Sequence, residues 1–255
     1  GMPIYPAGQD ENQLTTPLPW IIEIETLQNK SGRHLNIQPG LVKTQPRAND
    51  LLLISEENLL EAAGLIGNCS GMVLDLKEMP AINDAEIEAI LVSLYSRMSD
   101  DSLVFLRDSV SRVEHLFRLV VDLDLDGALV DVASAGGSLA PAALPRIGLV
   151  SQAMNIPKQG RRILLELDET PSAEDLIIAI SAGCTGVVAP PPSDDVESSL
   201  IWLDGTIKGW MLELGITELN QLTRRNLRAL DHDTAAISGL RLIGYDRPLP
   251  MWLKN

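Results

Sequence analysis

The chain has 255 residues, 45% of them apolar, with 35 acidic side chains against 20 basic ones and a formal charge of −15. That length holds one large α/β domain or two small ones, and the acidic excess repels phosphate backbones and anionic lipid surfaces, which sets nucleic-acid and membrane binding aside. Cys69 and Cys184 lie far apart with no Cys-x-x-Cys spacing, so neither a disulfide framework nor a zinc or iron–sulfur site is supported.

The polar opening, residues 1–19, reads as an extended arm with little that could pack. It has no basic region followed by an apolar stretch, so export is not expected and a cytoplasmic setting is. Trp20 to Thr26 alternates apolar and acidic residues, which suits a strand with one wet face. From Leu51 short apolar runs recur: Leu51 to Ile54, Met72 to Leu76, Leu103 to Leu106, Ala128 to Val132, Ile163 to Leu167 and Thr185 to Ala189. Helical spacing fills several of the gaps, at Asn58 to Ile66, Asp84 to Met98, Ser111 to Val121 and Ser172 to Ser181.

Runs that are apolar on both faces and separated by helices are what a parallel sheet covered by helices requires. Six such strands plus one or two near the N-terminus approach the eight of a (β/α)8 TIM-type barrel, whose usual size is about 250 residues. A doubly wound sheet stays open, because periodicity does not show closure; no Gly-x-Gly-x-x-Gly follows the first strands to favour its dinucleotide-binding version. The expected organisation is an arm over 1–19, an α/β barrel core over 20–192 and a helical C-terminal tail over 193–255. In that tail Val196 to Leu214 reads as one or two helices ended by Gly215, and Thr217 to Leu230 and Asp233 to Ile237 as short capped helices. The last residues, Tyr245 to Asn255, carry Pro248, Pro250 and Trp252 and suit barrel closure or a homodimer contact. The uncharged stretch from Leu176 to Ser193 is broken by Ser181, Gly183, Gly186 and its prolines, and is not a membrane span.

Asp122-Leu123-Asp124-Leu125-Asp126-Gly127 matches the opening of a calcium-binding EF-hand loop, but Ala133 stands where the closing bidentate Glu is needed. An acidic helix-to-strand connection is the expectation. His34, His115 and His232 have no partner at ligand spacing, so no metal site is assigned. The more informative segment runs from Ala128 to Ser138, where an apolar strand ends in small residues and a Gly136-Gly137-Ser138 turn. Glycines let a ligand approach the backbone, and a hydroxyl with free N–H groups can hold a phosphate or carbonyl oxygen.

Taken in order, these motifs resemble the flavin-binding barrel of the glutamate synthase family. Asp84 to Leu94 corresponds to its helix before a lysine-bearing strand, and Leu103-Val104-Phe105-Leu106-Arg107 to that strand. Gly136-Gly137-Ser138-Leu139-Ala140-Pro141 corresponds to its Gly-Gly-Thr-Gly-Ala-Ser-Pro loop, and Leu144 to Leu149 to its Leu-Pro-Trp-Glu-Leu-Gly-Leu. Arg162 to Asp168 matches a strand that in the family ends Asp-Gly-Gly; Leu214 to Asn220, Asn226 to Asp231 and Ile237 to Leu240 match the segment after the barrel.

The resemblance implies FMN at the strand C-termini, contacted by Arg107, Gly136, Gly137, Ser138 and Thr170. The departures fall at the ligand loops. Arg107 replaces the lysine, Asp168-Glu169-Thr170 replaces the phosphate-receiving turn, and Pro190 and Pro191 replace backbone donors. No further cysteine follows Cys184, so the family's iron–sulfur cluster has no ligands here. The first expectation is a divergent barrel lacking full glutamate synthase activity and serving as a binding or assembly module. The alternative is a reduced FMN-dependent oxidoreductase. A third reading is a site for a small anionic metabolite, or for acid–base chemistry, built on Asp131, Asp168 and Glu169.

Overall fold

A computed structural model of the chain describes residues 20–23, 40–79, 82–132, 140–190 and 196–245. Its strands are β1 Trp20–Glu23, β2 Gly40–Val42, β3 Leu51–Ile54, β4 Gly71–Asp75, β5 Leu103–Ser109, β6 Gly127–Asp131, β7 Arg162–Glu166 and β8 Gly186–Ala189. All pair in parallel and in sequence order, and β1 closes the ring by pairing Ile21 with Val188 of β8. The chain therefore forms a closed, eight-stranded parallel barrel of the TIM type, in which β2 passes to β3 without a helix. Its helices are α1 Leu59–Leu65, α2 Asp84–Tyr95, α3 Val113–Asp122, α4 Ala140–Ala153, α5 Ala173–Ser181, α6 Val196–Leu214 and α7 His232–Ser238.

The apolar runs have two faces to bury, and each face has its own core. Leu41, Leu51, Leu53, Val73, Phe105, Leu129, Leu164 and Val188 fill the barrel interior. Their alternate neighbours, among them Leu52, Ile54, Leu74, Leu106, Val130 and Leu165, pack outward under the helices. At about 1.5–3 kcal/mol for each fully buried aliphatic or aromatic side chain, these layers dominate the folding energy. At the start of β6 the neighbouring strands leave no room for a side chain: a Cβ on Gly127 would lie 2.0 Å from the Arg162 carbonyl oxygen and 2.9 Å from the Phe105 ring. No larger residue fits there without moving the strands.

Local signals set the helix ends. Asn83 and Glu86 form a reciprocal capping box on α2, Ser172 and Asp175 do the same on α5, and Gly215 takes the left-handed conformation (φ +67°) that ends α6. The acidic segment after α3 is a connection, as the missing twelfth ligand implied. Asp126 accepts the Val104 N–H at 2.9 Å and Asp124 pairs with Arg161 at 2.7 Å, so two of its carboxylates serve the protein itself. Among the described residues no group of three His, Cys, Asp or Glu side chains could hold a metal ion, and no helix is long and apolar enough to cross a membrane.

Two details differ from the sequence reading. β2 is three residues long, too short to show a period, and is held in place by the Asp50 carboxylate, which accepts the Gly40 N–H at 2.9 Å. The helix expected over Thr217 to Leu230 is instead two single 3-10 turns, Leu219–Gln221 and Arg224–Asn226. Leu222 and Leu227 adopt extended backbone after each turn, and Leu222 goes into the core beneath. The tail helix α7 packs against α4. The arm over 1–19, the Gly136-Gly137-Ser138 turn and the segment with Pro248, Pro250 and Trp252 lie outside the described residues.

Candidate functional site

Strand alternation decides which side chains reach the barrel mouth. Residues two apart share a face, so the interior positions Val73, Phe105, Leu129 and Leu164 place Asp75, Arg107, Asp131 and Glu166 next along the same inner face, at the C-terminal ends of β4 to β7. Register aligns them in pairs, Asp75 beside Arg107 and Asp131 beside Glu166. In barrels of this type the strand C-termini form the ligand-binding face.

These four residues are joined by ion pairs. Arg107 donates from Nε to Glu166 Oε2 at 2.5 Å and from Nη2 to Glu166 Oε1 at 3.0 Å, a two-point fork. Its Nη1 donates to Asp75 Oδ2, and Nη2 lies 3.7 Å from Asp131 Oδ2. Lys77, two residues past β4's last position, reaches Asp131 Oδ2 with Nζ at 2.5 Å, while its backbone N–H binds Asp75 Oδ1 at 3.1 Å. Exposure grades outward across the group: side chains of Asp75 and Asp131 are 0% and 1% exposed, Arg107 10%, Glu166 18% and Lys77 39%. A ligand arriving at the mouth would meet Lys77 and Glu166 first.

Burial shapes the charges. At Arg107 desolvation works against the cation, but Glu166, Asp75 and Asp131 outweigh it and hold the guanidinium above its ordinary pKa. At Asp75 desolvation wins: burial raises its pKa despite the charge and hydrogen bond of Arg107. The two results are compatible, because one guanidinium serves three carboxylates and gives Asp75 a single N–H.

Of the residues the sequence singled out, Arg107 stands at the centre of this group and Asp131 belongs to it. Thr170 does not: it is exposed, and its hydroxyl donates to the Pro190 carbonyl at 3.4 Å. Asp168 and Glu169 are exposed on the turn after β7, and the carboxylates that Arg107 joins to Asp131 are Asp75 and Glu166 rather than these two. Glu166 is held by the strand as its last residue, whereas Asp168 and Glu169 lie beyond it on an exposed turn.

Asp75, Lys77 and Glu166 escaped the sequence reading. One signal was there: β4 reads Gly-Met-Val-Leu-Asp and β6 reads Gly-Ala-Leu-Val-Asp, so two apolar runs end in a carboxylate at the same inward position.

FMN asks for donors to its phosphate, and by the resemblance those would lie after β7 and β8. The described residues there do not fit. The Asp175 N–H in the first turn of α5 is taken by Ser172 Oγ, Glu174 and Asp175 place negative charge in that turn, and Pro190 has no N–H to give.

No protein-family model and no curated protein matches the sequence. Among solved structures the chain is similar to DHODH from Eimeria tenella, determined in complex with ferulenol, at 11% identity over 64% of this chain and 56% of that one, with a TM-score of 0.47. This chain thus aligns with little more than half the length of that protein.

Proposed function

We propose that the chain is a small-molecule-binding barrel whose ligand sits at the C-terminal mouth, over the ion pairs of Asp75, Arg107, Asp131 and Glu166, with Lys77 as the accessible cation at the rim. One observation carries this reading: four successive strands each carry an inward-facing charged residue at or within two residues of their C-terminal end, and these residues are joined through Arg107. A barrel interior needs only packed apolar side chains for stability. Buried ion pairs are poor contributors to stability compared with apolar packing, so their presence on the ligand-binding face supports a role in recognition.

The test is a thermal-shift screen of the full chain with small carboxylates, amino acids, amines, sugars and FMN, repeated with Lys77→Met. The reading expects a saturable shift with at least one class and its loss or weakening in the variant. No saturable shift in any class overturns it.

A second reading is the flavin-dependent oxidoreductase. It is favoured by the inward orientation of Arg107, the residue that the resemblance places at the flavin. Among the described residues after β7 and β8, the occupied Asp175 N–H, the acidic first turn of α5 and Pro190 weigh against it. Titration with FMN, followed by visible absorbance and by quenching of flavin fluorescence, separates the two; binding of FMN with a perturbed spectrum favours the second.

A further inference from the structure

Just past β3, Ser55 is 1% exposed and its Oγ has no hydrogen-bond partner among the described residues. Its backbone is firmly placed: the Ser55 N–H donates to Asn58 Oδ1 at 2.8 Å, and Asn58 Nδ2 donates in turn to the Leu53 carbonyl at 2.9 Å and the Lys43 carbonyl at 3.1 Å. The hydroxyl is what remains. Leu51 and Leu53 face the barrel interior, so alternation continues inward to Ser55, and the Ile54–Leu74 register puts Ser55 next to Asp75. A buried hydroxyl without a partner costs free energy that a ligand can recover.

Asp75 is the other half of this corner. Arg107 gives it one N–H and gives Glu166 two, and the other donors on its carboxylate among the described residues are the backbone N–H groups of Lys77 and Glu78. A carboxylate has about four acceptor directions, so with the donors of Arg107, Lys77 and Glu78 in place Asp75 keeps room for about one more while fully buried.

We propose that the Ser55–Asp75 corner binds the primary ammonium group of a small amine, with Ser55 Oγ and an Asp75 carboxylate oxygen accepting its N–H donors. The proposal rests on the reading that the barrel mouth is the ligand site, and it names that ligand's anchoring group. An ammonium supplies donors for both Ser55 Oγ and Asp75, and a second positive charge beside a carboxylate whose burial Arg107 does not fully offset. A phosphate or carboxylate would face Asp75 at close range, and a neutral amide would leave its charge uncompensated. Burial raises the pKa of Asp75 despite Arg107, and a bound cation would offset that cost of burial.

The experiment is isothermal calorimetry on the full chain with methylammonium chloride, at constant ionic strength. Tetramethylammonium, which has the charge but no N–H, acetamide, which has donors but no charge, and potassium chloride are run beside it. Saturable binding of methylammonium and of none of the other three is expected, weakened about tenfold in Ser55→Ala, in line with the loss of a hydrogen bond to a charged group, and abolished in Asp75→Asn. Equal binding of tetramethylammonium or potassium, stronger binding of acetamide, no methylammonium binding, or unchanged affinity in Ser55→Ala each overturns the proposal. The wild-type comparison stands even if a variant does not fold. If other small molecules bind with Lys77 dependence and methylammonium does not, this inference fails alone; if nothing binds at all, the assignment of the mouth as a ligand site fails with it.

Discussion

Arg107, two residues before the end of β5, and Glu166 at the end of β7 meet across the intervening strand β6 in a two-point fork, 2.5 Å and 3.0 Å long. Two N–H donors in one plane match two carboxylate oxygens, a geometry that lysine cannot supply. Replacing Arg107 by Met therefore leaves Asp75, Asp131 and Glu166 without their shared cation. Removing one partner of a buried ion pair costs about 3–5 kcal/mol, and urea unfolding of Arg107→Met should show a loss in that range. Arg107→Lys keeps the charge but not the fork, and should fall between the two. Wild-type stability in Arg107→Met would mean that the three carboxylates find water or protons at no cost.

The pH dependence of stability should carry a mark from Asp75. Its pKa in the fold lies above the ordinary value of 3.8, because burial outweighs the pull of Arg107. Between those two values the folded chain binds more protons at this site than the unfolded chain does. Stability from this group is therefore greatest below about pH 3.8 and falls as pH rises through the raised pKa. Comparing the slope of unfolding free energy against pH in wild type and in Asp75→Asn isolates the effect. The variant should decline less steeply over that window; an identical slope would show that Asp75 titrates in the fold as it does in the unfolded chain.

Cys69 and Cys184 offer a probe of opening. Both are buried free thiols, and burial pushes the Cys184 thiol up to about 12. Alkylation requires thiolate, which at pH 8 would be roughly one part in ten thousand of such a group. Iodoacetamide should leave Cys184 unmodified in the native protein and label it at the rate of unfolding as urea rises. Rapid labelling without denaturant, read by mass spectrometry, would contradict its burial on α5's trailing loop.

Much of the barrel is legible in the sequence because an apolar run and its alternation report a two-faced burial directly. Leu103 to Leu106 and Ala128 to Val132 need no partner to be recognised as buried strands. β2 is illegible for the converse reason: Gly40, Leu41 and Val42 are a strand only because β1, β3 and the Asp50 carboxylate surround them. The candidate site divides in the same way. Arg107 is conspicuous as a charge closing an apolar run, whereas Asp75 and Glu166 acquire meaning only when register brings three strand ends together. Asp168 and Glu169 drew attention as adjacent carboxylates, but they lie beyond the end of β7 on an exposed turn, whereas Glu166 is held in the strand itself.

Asp50 provides the last prediction, at the same corner that fixes β2. Its side chain accepts hydrogen bonds from Gly40 N at 2.9 Å, Arg47 N at 2.9 Å, Arg47 Nε at 2.9 Å and Arg47 Nη2 at 2.8 Å. Burial alone would raise its pKa, but the Arg47 side chain, the two backbone N–H groups and the Arg47 charge together hold it below 3.8. For a lowered carboxyl the sign is opposite to that of Asp75: the stabilisation is complete above about pH 3.8 and is lost as pH falls through the lowered value. Asp50→Asn keeps the size but replaces one acceptor oxygen by an N–H₂ that faces donors, so a buried N–H is left unpaired at a cost of about 1–3 kcal/mol. The loss should be seen at pH 7 and should shrink below pH 3.8, where the wild-type carboxyl is itself becoming neutral. A deficit that stays constant from pH 7 down to pH 2 would show that packing, not the charge of Asp50, holds β2 in the barrel.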